Sequence, residues 1–271
     1  MSLLSVNQLL AVLGTDSVAV VSRLRGLRNR LIDQQHVTFI QESEDIAWNR
    51  AVIQLDGMLA TMQVKPKTNL HITLASDFVR YLSLPPQQVS MNKAEKIAYA
   101  TASYREIYGA VVDEWEIKLH DTPNHIGMIA VAIDKKLLNA LKQVAQKYHT
   151  KLVSIQPYLM TVFNRLSSQI AKTNGYLVIV EFKRLLLINL LQGDCQNVRT
   201  YPLANGWQIE FKNMMMRELL LADTHHREIL VYAPTQKNIA IHAIEGWQVK
   251  RINTLKNALK NYHFAMLEAS V

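Results

Sequence analysis

One pattern occurs twice in this 271-residue sequence: two apolar strands, a third strand, and then an amphipathic helix. The first copy begins with Leu9–Leu24 (LLAVLGTDSVAVVSRL), which has a turn at Gly14-Thr15-Asp16. The second copy begins with Tyr176–Leu191 (YLVIVEFKRLLLINLL), which has a turn around Phe182-Lys183-Arg184. Because each copy has to bury the apolar face of its own sheet, the duplication predicts two related lobes.

The amino-acid composition is sufficient for a large hydrophobic core and argues against a functional phosphate-binding loop. Hydrophobic residues make up 49% of the chain, which is ample for one large domain or two lobes. Only nine glycines occur, and neither GxxxxGK[ST] nor GxGxxG is present. Backbone amides approach phosphates closely through glycine-rich loops, so this scarcity counts against a nucleotide-hydrolysing enzyme.

The chain is basic, with 30 Lys and Arg against 22 Asp and Glu and a net charge of +8. Such a charge favours anionic partners, either nucleic acid or the inner face of a membrane. Four arginines fall within one short segment: Arg23, Arg25, Arg28 and Arg30. A phosphate or lipid contact is one interpretation of them, and an edge strand protected by charge is the favoured one.

Cys195 is the only cysteine, which excludes an internal disulfide and a cysteine-based metal site. The N-terminus lacks the basic residues and cleavage site of a secretory signal. No segment approaches the roughly 20 apolar residues that a spanning helix needs. The expected protein is therefore soluble, located in a reducing compartment, and at most peripheral to a membrane.

Local signals place the remaining helices and strands. Ser43 is expected to cap a helix that runs to Met62, and Asn92 with Glu95 has the spacing of a capping box. Asp134 is expected to cap a further helix, and a last helix is predicted from Asn253. Strands are predicted at residues 30–41, 69–75, 78–84, 115–120, 126–133, 152–155, 227–233 and 239–244.

The middle of the chain resembles the PilM/GspL/MshI group of actin-like proteins, over roughly residues 70–200. The resemblance rests on a series of segments in the same order: VRYLSLPP, YREIYG, WEIKL, IGMIAVAID and LVSIQPYLMTVFNRL. It implies an α/β, actin-like (ribonuclease H-like) duplicated fold of two lobes with a small α+β insertion. The implied first lobe comprises residues 1–68 plus 69–150, which hold the inserted subdomain, and the second lobe comprises residues 151–271.

The same resemblance implies two phosphate-binding turns, each carrying Asp-x-Gly, and neither turn has that pattern here. At the first turn Gly14 and Ser17 match, but Val12 or its neighbour takes the place of the acid, and Asp16 follows the glycine. At the second turn Glu181-Phe182-Lys183 replaces Asp-x-Gly. Gly14, Ser17 and Glu181 are thus the remnants of a nucleotide site, and no catalytic residue, metal or cofactor is expected. Binding of ATP and Mg²⁺ without hydrolysis stays open.

Several histidines and the single cysteine suggest chemistry and are better explained structurally. His225-His226 lies beside acidic residues, but adjacent side chains point in different directions and no second ligand pair is present. His71 and His242 lie within apolar strands, as satisfied core or edge histidines do. Cys195 is expected in a hairpin turn and is not expected to be a nucleophile. The acids beside the histidine pair are Asp223 and Glu228.

Two surfaces suggest partners. Met214–Met216 lies on a predicted helix with Trp207, Phe211 and Leu219, where core packing is the default and a peptide-binding groove is the alternative. Basic and aromatic residues are interleaved near position 148, which fits a nucleic-acid site or a solvated helix end. The residues of this second surface are Lys142, Lys147, Tyr148, His149 and Lys151.

Together these observations, with the family resemblance, lead to one functional hypothesis and two alternatives. The resemblance implies a non-catalytic cytoplasmic scaffold subunit of a bacterial type IV pilus or type II secretion assembly platform. Such a subunit binds the cytoplasmic segment of a single-pass inner-membrane partner, and the oligomeric state, homodimer or heterodimer, stays open. The alternatives are an active actin-like ATPase or kinase that uses Asp16 or Glu181 for Mg²⁺, and a nucleic-acid-binding protein.

Overall fold

The computed structural model describes residues 6–26, 30–40, 46–87, 89–121, 127–203, 207–221, 228–234, 246–252 and 262–270. The chain divides into two compact units. Unit 1 consists of Met1–Val79, Ile133–Val162 and Asn257–Val271. Unit 2 consists of Arg80–Ala132 and Phe163–Lys256.

Unit 1 is built on a five-stranded sheet with the order β3-β2-β1-β4-β8. β1 pairs antiparallel with β2, and β2 pairs antiparallel with β3. β1 pairs parallel with β4, and β4 pairs parallel with β8. The strands are β1 (Val6–Leu13), β2 (Ser17–Arg25), β3 (Arg30–Thr38), β4 (Asn69–Leu74) and β8 (Lys151–Pro157).

Helices cover the sheet of unit 1 and explain why its central strands are apolar throughout. α1 (Asn49–Thr61) buries the apolar face formed by Ala51, Val52, Leu55, Met58 and Leu59, which recur at helical spacing. α3 (Lys135–Lys147) begins at Asp134, whose carboxylate accepts the backbone N–H of Lys136. A 3-10 helix, Tyr262–Ser270, contacts β1 and β2. A central strand with neighbours on both faces reads as a continuous apolar run.

Unit 2 repeats the same sheet with the order β11-β10-β9-β12-β13. β9, β10 and β11 form the antiparallel meander, and β12 and β13 add parallel strands beside β9. This order matches the order of unit 1 strand for strand, which confirms the predicted duplication. The strands are β9 (Gly175–Val180), β10 (Arg184–Leu191), β11 (Asp194–Pro202), β12 (Glu228–Tyr232) and β13 (Gln248–Arg251). α5 (Trp207–Leu221) packs on this sheet, and α4 (Tyr158–Ile170) belongs to unit 1 as far as Val162 and to unit 2 from Phe163.

A separate three-stranded sheet with the order β5-β7-β6 forms the predicted α+β insertion. Its strands are β5 (Val79–Leu84), β6 (Trp115–Asp121) and β7 (Met128–Asp134). α2 (Lys93–Tyr108) packs on this sheet and starts with the complete capping box of Asn92 and Glu95. Tyr104 of α2 is fully buried, and its hydroxyl reaches the carbonyl oxygens of Arg80 and Ala130.

The structure corrects several expectations about unit 1. Residues 152–155 were expected in a buried strand of the second lobe, yet β8 is a half-exposed strand of the first sheet. The compact units differ from the expected lobes, because residues 151–162 belong to unit 1 and the insertion, Arg80–Ala132, belongs to unit 2 and not to the first lobe. Arg23 was expected in solvent with its neighbours, but it is buried and its Nε donates to Gln8 Oε1 at 3.1 Å. Arg25 and Arg30 are exposed, as expected.

Some predicted features lie outside the described residues, and one strand of the structure was not predicted. Ser43, Arg28, the strand at residues 239–244 and the start of the last helix at Asn253 lie outside the described residues. β13 was not predicted, because four residues with alternating burial give a weak signal.

Candidate functional site: the two hairpin turns

The first hairpin turn connects β1 to β2 and is held by its own backbone. The N–H of Gly14 donates to the carbonyl oxygen of Ser17 at 2.8 Å, and the N–H of Phe39 donates to the carbonyl oxygen of Asp16 at 2.9 Å. The hydroxyl of Ser17 donates to Asp16 Oδ1 at 3.1 Å. The turn therefore presents a half-exposed carboxylate, one oxygen of which already accepts a hydrogen bond.

The second hairpin turn connects β9 to β10 with the same backbone bonds. The N–H of Glu181 donates to the carbonyl oxygen of Arg184 at 2.9 Å, and the N–H of Leu203 donates to the carbonyl oxygen of Lys183 at 2.8 Å. In both turns the first bond closes the hairpin and the second joins the end of the third strand to the turn. These bonds make Glu181 the equivalent of Gly14, and Lys183 the equivalent of Asp16.

This equivalence defines how the two turns differ chemically. Where the first turn has a half-exposed carboxylate at Asp16, the second has the exposed ammonium group of Lys183. Where the first has Gly14, the second has Glu181, which is 2% exposed. Mg²⁺ needs carboxylate oxygens and several waters in octahedral array, and a lysine repels the ion. The second turn alone therefore offers a poor environment for a nucleotide–Mg²⁺ complex.

Gly14 is compatible with a side chain, which explains how the second turn can carry a glutamate. A Cβ atom built at Gly14 would lie 3.4 Å from the carbonyl oxygen of Ser17 and 3.6 Å from its hydroxyl, which are ordinary contacts. The hairpin itself does not require glycine at this position. The predicted site residues are thus placed as follows: Gly14 and Ser17 share the first turn, and Glu181 begins the second, in the other unit.

The remaining candidates for chemistry are explained by packing. Cys195 lies in β11 and not in the predicted turn, which is formed by residues 192–193, and burial raises the pKa of its thiol to about 12. His71 in β4 places Nδ1 3.0 Å from the hydroxyl of Ser154, while its Nε2 is buried without a hydrogen-bond partner. Burial, followed by the charges of Arg23 and Arg25, lowers the pKa of His71. His71 is thus a core histidine satisfied on one side.

Within the described part of the chain, no group of three or more His, Cys, Asp and Glu side chains is arranged to hold a metal ion. The acid Glu228 is the first residue of β12. The other members of the histidine cluster, His225, His226 and Asp223, lie outside the described residues, as does His242. The basic residues near position 148 line an exposed helix end, where Lys147 forms an ion pair with Asp56 at 2.7 Å.

The methionines of α5 divide between the core and the surface. Met214 and Met215 are buried in the core of unit 2 with Trp207 and Phe211, as the default interpretation predicted. Met216 is 53% exposed. The same outer face carries Ile209, which is 58% exposed, and Leu220, which is 86% exposed. Ile209, Met216 and Leu220 are seven and four positions apart, and this helical spacing was the sequence signal for the outer face. The core residues of α5 recur at similar spacings, so the sequence did not distinguish the two faces.

Comparisons with known proteins define the fold. No protein-family model and no curated protein matches the sequence. Among solved structures, a PilM–PilN type IV pilus biogenesis complex is similar with a TM-score of 0.64 and 12% identity, covering 91% of this chain and 88% of that chain. The cytoplasmic domain of EpsL, an inner-membrane component of the type II secretion system of Vibrio cholerae, is similar with a TM-score of 0.59 and 8% identity. That match covers 97% of this chain and 94% of that chain.

The third similar structure is described as having the actin-like ATPase fold. A Bacteroides thetaiotaomicron protein with an actin-like ATPase fold and unknown function has a TM-score of 0.55 and 9% identity, with coverage of 83% and 81%. The chain therefore has the actin-like ATPase fold, as the duplicated sheets indicate. The fold is of the kind found in the PilM and EpsL structures. None of the described helices is long and apolar enough to cross a membrane.

Proposed function

We propose that this protein is a non-catalytic scaffold subunit of a bacterial type IV pilus or type II secretion assembly platform. It works on the cytoplasmic side of the inner membrane and binds the cytoplasmic segment of a single-pass membrane partner. The fold shared with the PilM and EpsL structures supports the assembly role. The proposal that the protein does not hydrolyse ATP rests on one observation: in the second turn Lys183 occupies the position that Asp16 occupies in the first.

Hydrolysis of ATP requires the γ-phosphate, the metal and the attacking water to be held together. The alternative hypothesis assigns Mg²⁺ to the carboxylate of Asp16, and in the second turn the equivalent position holds the cation of Lys183. The purified protein should therefore release phosphate from Mg-ATP at the rate of a buffer control. A rate above that control, lost on Asp16→Ala or Glu181→Ala, would show that an active site has been rebuilt from these acids.

We propose that the partner segment docks on the outer face of α5, which we call the α5 stripe: Ile209, Met216 and Leu220. At about 100° per residue these three side chains lie within about 40° of one another around the helix. Lys212 and Arg217 are exposed on the two sides of the stripe. The stripe therefore combines an apolar surface with basic flanks.

The flanking charges define the chemistry of the partner segment. An amphipathic helix docks through apolar residues at helical spacing, and charges at the rim select partners of opposite sign. The segment that fits the α5 stripe is thus a short amphipathic helix with acidic residues beside its apolar face. Met214 and Met215 hold α5 in place from below, because both are buried in the core of unit 2.

The test is co-purification from detergent-solubilised native membranes. The double variant Met216→Glu/Leu220→Glu should lose the membrane partner, because it places two acids in the apolar stripe. The matched control is Ile53→Glu/Ile107→Glu, which changes two isoleucines that are 57% and 58% exposed on other helices. The control should keep the partner. Equal capture by both variants would exclude the α5 stripe, and recovery of RNA or DNA without a membrane protein would favour the nucleic-acid alternative.

A further inference from the structure

We infer that one edge of the unit 1 sheet is a docking surface for an anionic lipid bilayer. This basic edge consists of Arg25, Arg30, Lys65, Lys67, His149 and Lys151. All six side chains are exposed. The inference goes beyond the proposed function, because binding to lipid requires no partner protein.

The sheet topology brings these residues together from three separate segments of the chain, residues 25–30, 65–67 and 149–151. β1, β4 and β8 run parallel, so the loops that precede them meet at one edge, the edge opposite to the Gly14 turn. β2 ends at this edge, where Arg25 pairs with Val6, and β3 begins there with Arg30. The N–H of Lys67 donates to the carbonyl oxygen of His149 at 2.8 Å, which joins the two loops directly.

The five arginine and lysine side chains of the basic edge carry the same sign of charge within a short distance. Five strands spaced about 4.8 Å apart span about 19 Å, so neighbouring cations lie within a Debye length of about 8–10 Å. Among the described residues, no ion pair with an acidic side chain involves these six residues; Lys147, the last residue of α3, has its partner in Asp56. Their potentials therefore add, as they do for basic segments near a membrane.

Exposed apolar side chains at the same edge favour a bilayer over nucleic acid. Val6 is 45% exposed, Leu31 is 49% exposed and Ile32 is 55% exposed. Val6 pairs with Arg25, and Leu31 and Ile32 follow Arg30 along β3. A bilayer surface accepts both kinds of group, with cations at the phosphates and apolar groups just below. Single-stranded nucleic acid is bound by stacking on exposed aromatic rings. Besides the imidazole of His149, the described aromatic ring beside this edge is that of Tyr148, and the ammonium group of Lys147 lies over that ring at 5.3 Å from its centroid.

The experiment measures binding of the full chain to vesicles that contain no protein. Vesicles of phosphatidylcholine alone are compared with an equimolar mixture of phosphatidylcholine and phosphatidylglycerol, in a flotation assay at low and at high salt. The unchanged protein should float with the anionic vesicles only, and less so at high salt. The variant Lys65→Gln/Lys67→Gln/Lys151→Gln should bind on the order of 100-fold more weakly, since each lysine near an anionic surface contributes about a fivefold factor.

The matched control is Lys93→Gln/Lys118→Gln/Lys172→Gln, which removes the same charge from exposed positions of unit 2. It should keep vesicle binding within a few-fold. An equal loss in both triple variants, or no binding of the unchanged protein to anionic vesicles, would overturn the inference. RNA binding that is lost only in the Lys65/Lys67/Lys151 variant, with vesicle binding unaffected, would assign the edge to nucleic acid instead.

Partner binding at the α5 stripe and lipid binding at the basic edge can be tested separately, so that one proposal can be wrong while the other holds. Capture of the membrane partner in detergent, where no bilayer is present, should be unaffected by the changes at Lys65, Lys67 and Lys151. The Met216→Glu/Leu220→Glu variant should conversely keep its affinity for anionic vesicles. Loss of partner capture in the basic-edge variant would show that this edge binds protein, and would overturn the lipid assignment alone.

Discussion

Two glycine-to-alanine substitutions should change the free energy of unfolding in opposite directions. Gly175 begins β9 and has a φ of 154°. A Cβ atom there would lie 2.3 Å from the carbonyl oxygen of Glu228, on the parallel neighbour β12. Gly57 lies within α1, and a Cβ atom there would have nothing within 4 Å.

The geometry sets the size of each effect. A carbon–oxygen contact is normally no shorter than about 3.3 Å, so Gly175→Ala forces β9 and β12 apart by about 1 Å. Overpacking of this kind costs about 1–3 kcal/mol, and each weakened ladder hydrogen bond adds about 1 kcal/mol. Gly175→Ala should therefore destabilise the protein by about 3 kcal/mol. Gly57→Ala should stabilise it by about 0.5–1 kcal/mol, because glycine is unfavourable within a helix.

The assay is urea-induced unfolding, followed by circular dichroism, of the unchanged protein and of the two variants. Hydrogen exchange then locates the change, which should appear in β9 and β12 for Gly175→Ala. If Gly175→Ala is as stable as the unchanged protein, the close approach between β9 and β12 does not exist. If Gly57→Ala is destabilising, the outer face of α1 at this position is covered by another part of the protein.

Three further outcomes can be measured on single variants. The Tyr104 hydroxyl donates to the carbonyl oxygens of Arg80 and Ala130, and burial raises its pKa, which keeps it a donor. Tyr104→Phe should therefore lower the free energy of unfolding by about 1–2 kcal/mol and increase hydrogen exchange in β5 and β7. His71 has a pKa lowered from 6.5, so the unfolded state binds more protons below that pH and stability falls as the pH decreases. His71→Gln should flatten this dependence in urea titrations at pH 7 and pH 5, by at most about 1.4 kcal/mol per pH unit. Cys195, with a thiol pKa raised to about 12, should react with a disulfide reagent only in denaturant, and rapid reaction of the native protein would contradict its burial.

The duplicated architecture could be predicted because its signals are local. Both hairpins are continuous apolar runs interrupted by a short turn, and residues 9–13 and 176–180 are buried as such runs predict. The capping box of Asn92 and Glu95 is likewise a matter of residues three positions apart, and both of its hydrogen bonds are formed. The actin-like fold itself was implied by the resemblance of residues 70–200 to the PilM/GspL/MshI group.

The candidate site was only partly predictable. The missing Asp-x-Gly pattern was visible in the sequence. The structural equivalence of Gly14 to Glu181, and of Asp16 to Lys183, rests on backbone hydrogen bonds within each turn and from the residue that follows each third strand. Likewise, burial of Met214 and Met215 with exposure of Met216 depends on how α5 lies on its sheet. Neighbouring positions on a helix face different directions, so three identical residues in a row carry no information about which one is outside.

The sequence by itself determined that two strand triplets exist and that their turns lack the Asp-x-Gly pattern. Only the tertiary structure decided that β8 closes the first sheet and that Lys67, His149 and Lys151 share one edge with Arg25. The physical reason lies in the range of the interactions. Hydrophobic periodicity and capping act between residues a few positions apart, whereas the parallel pairing of β1, β4 and β8 joins segments separated by long stretches of chain, and its order is set by the packing of the whole unit.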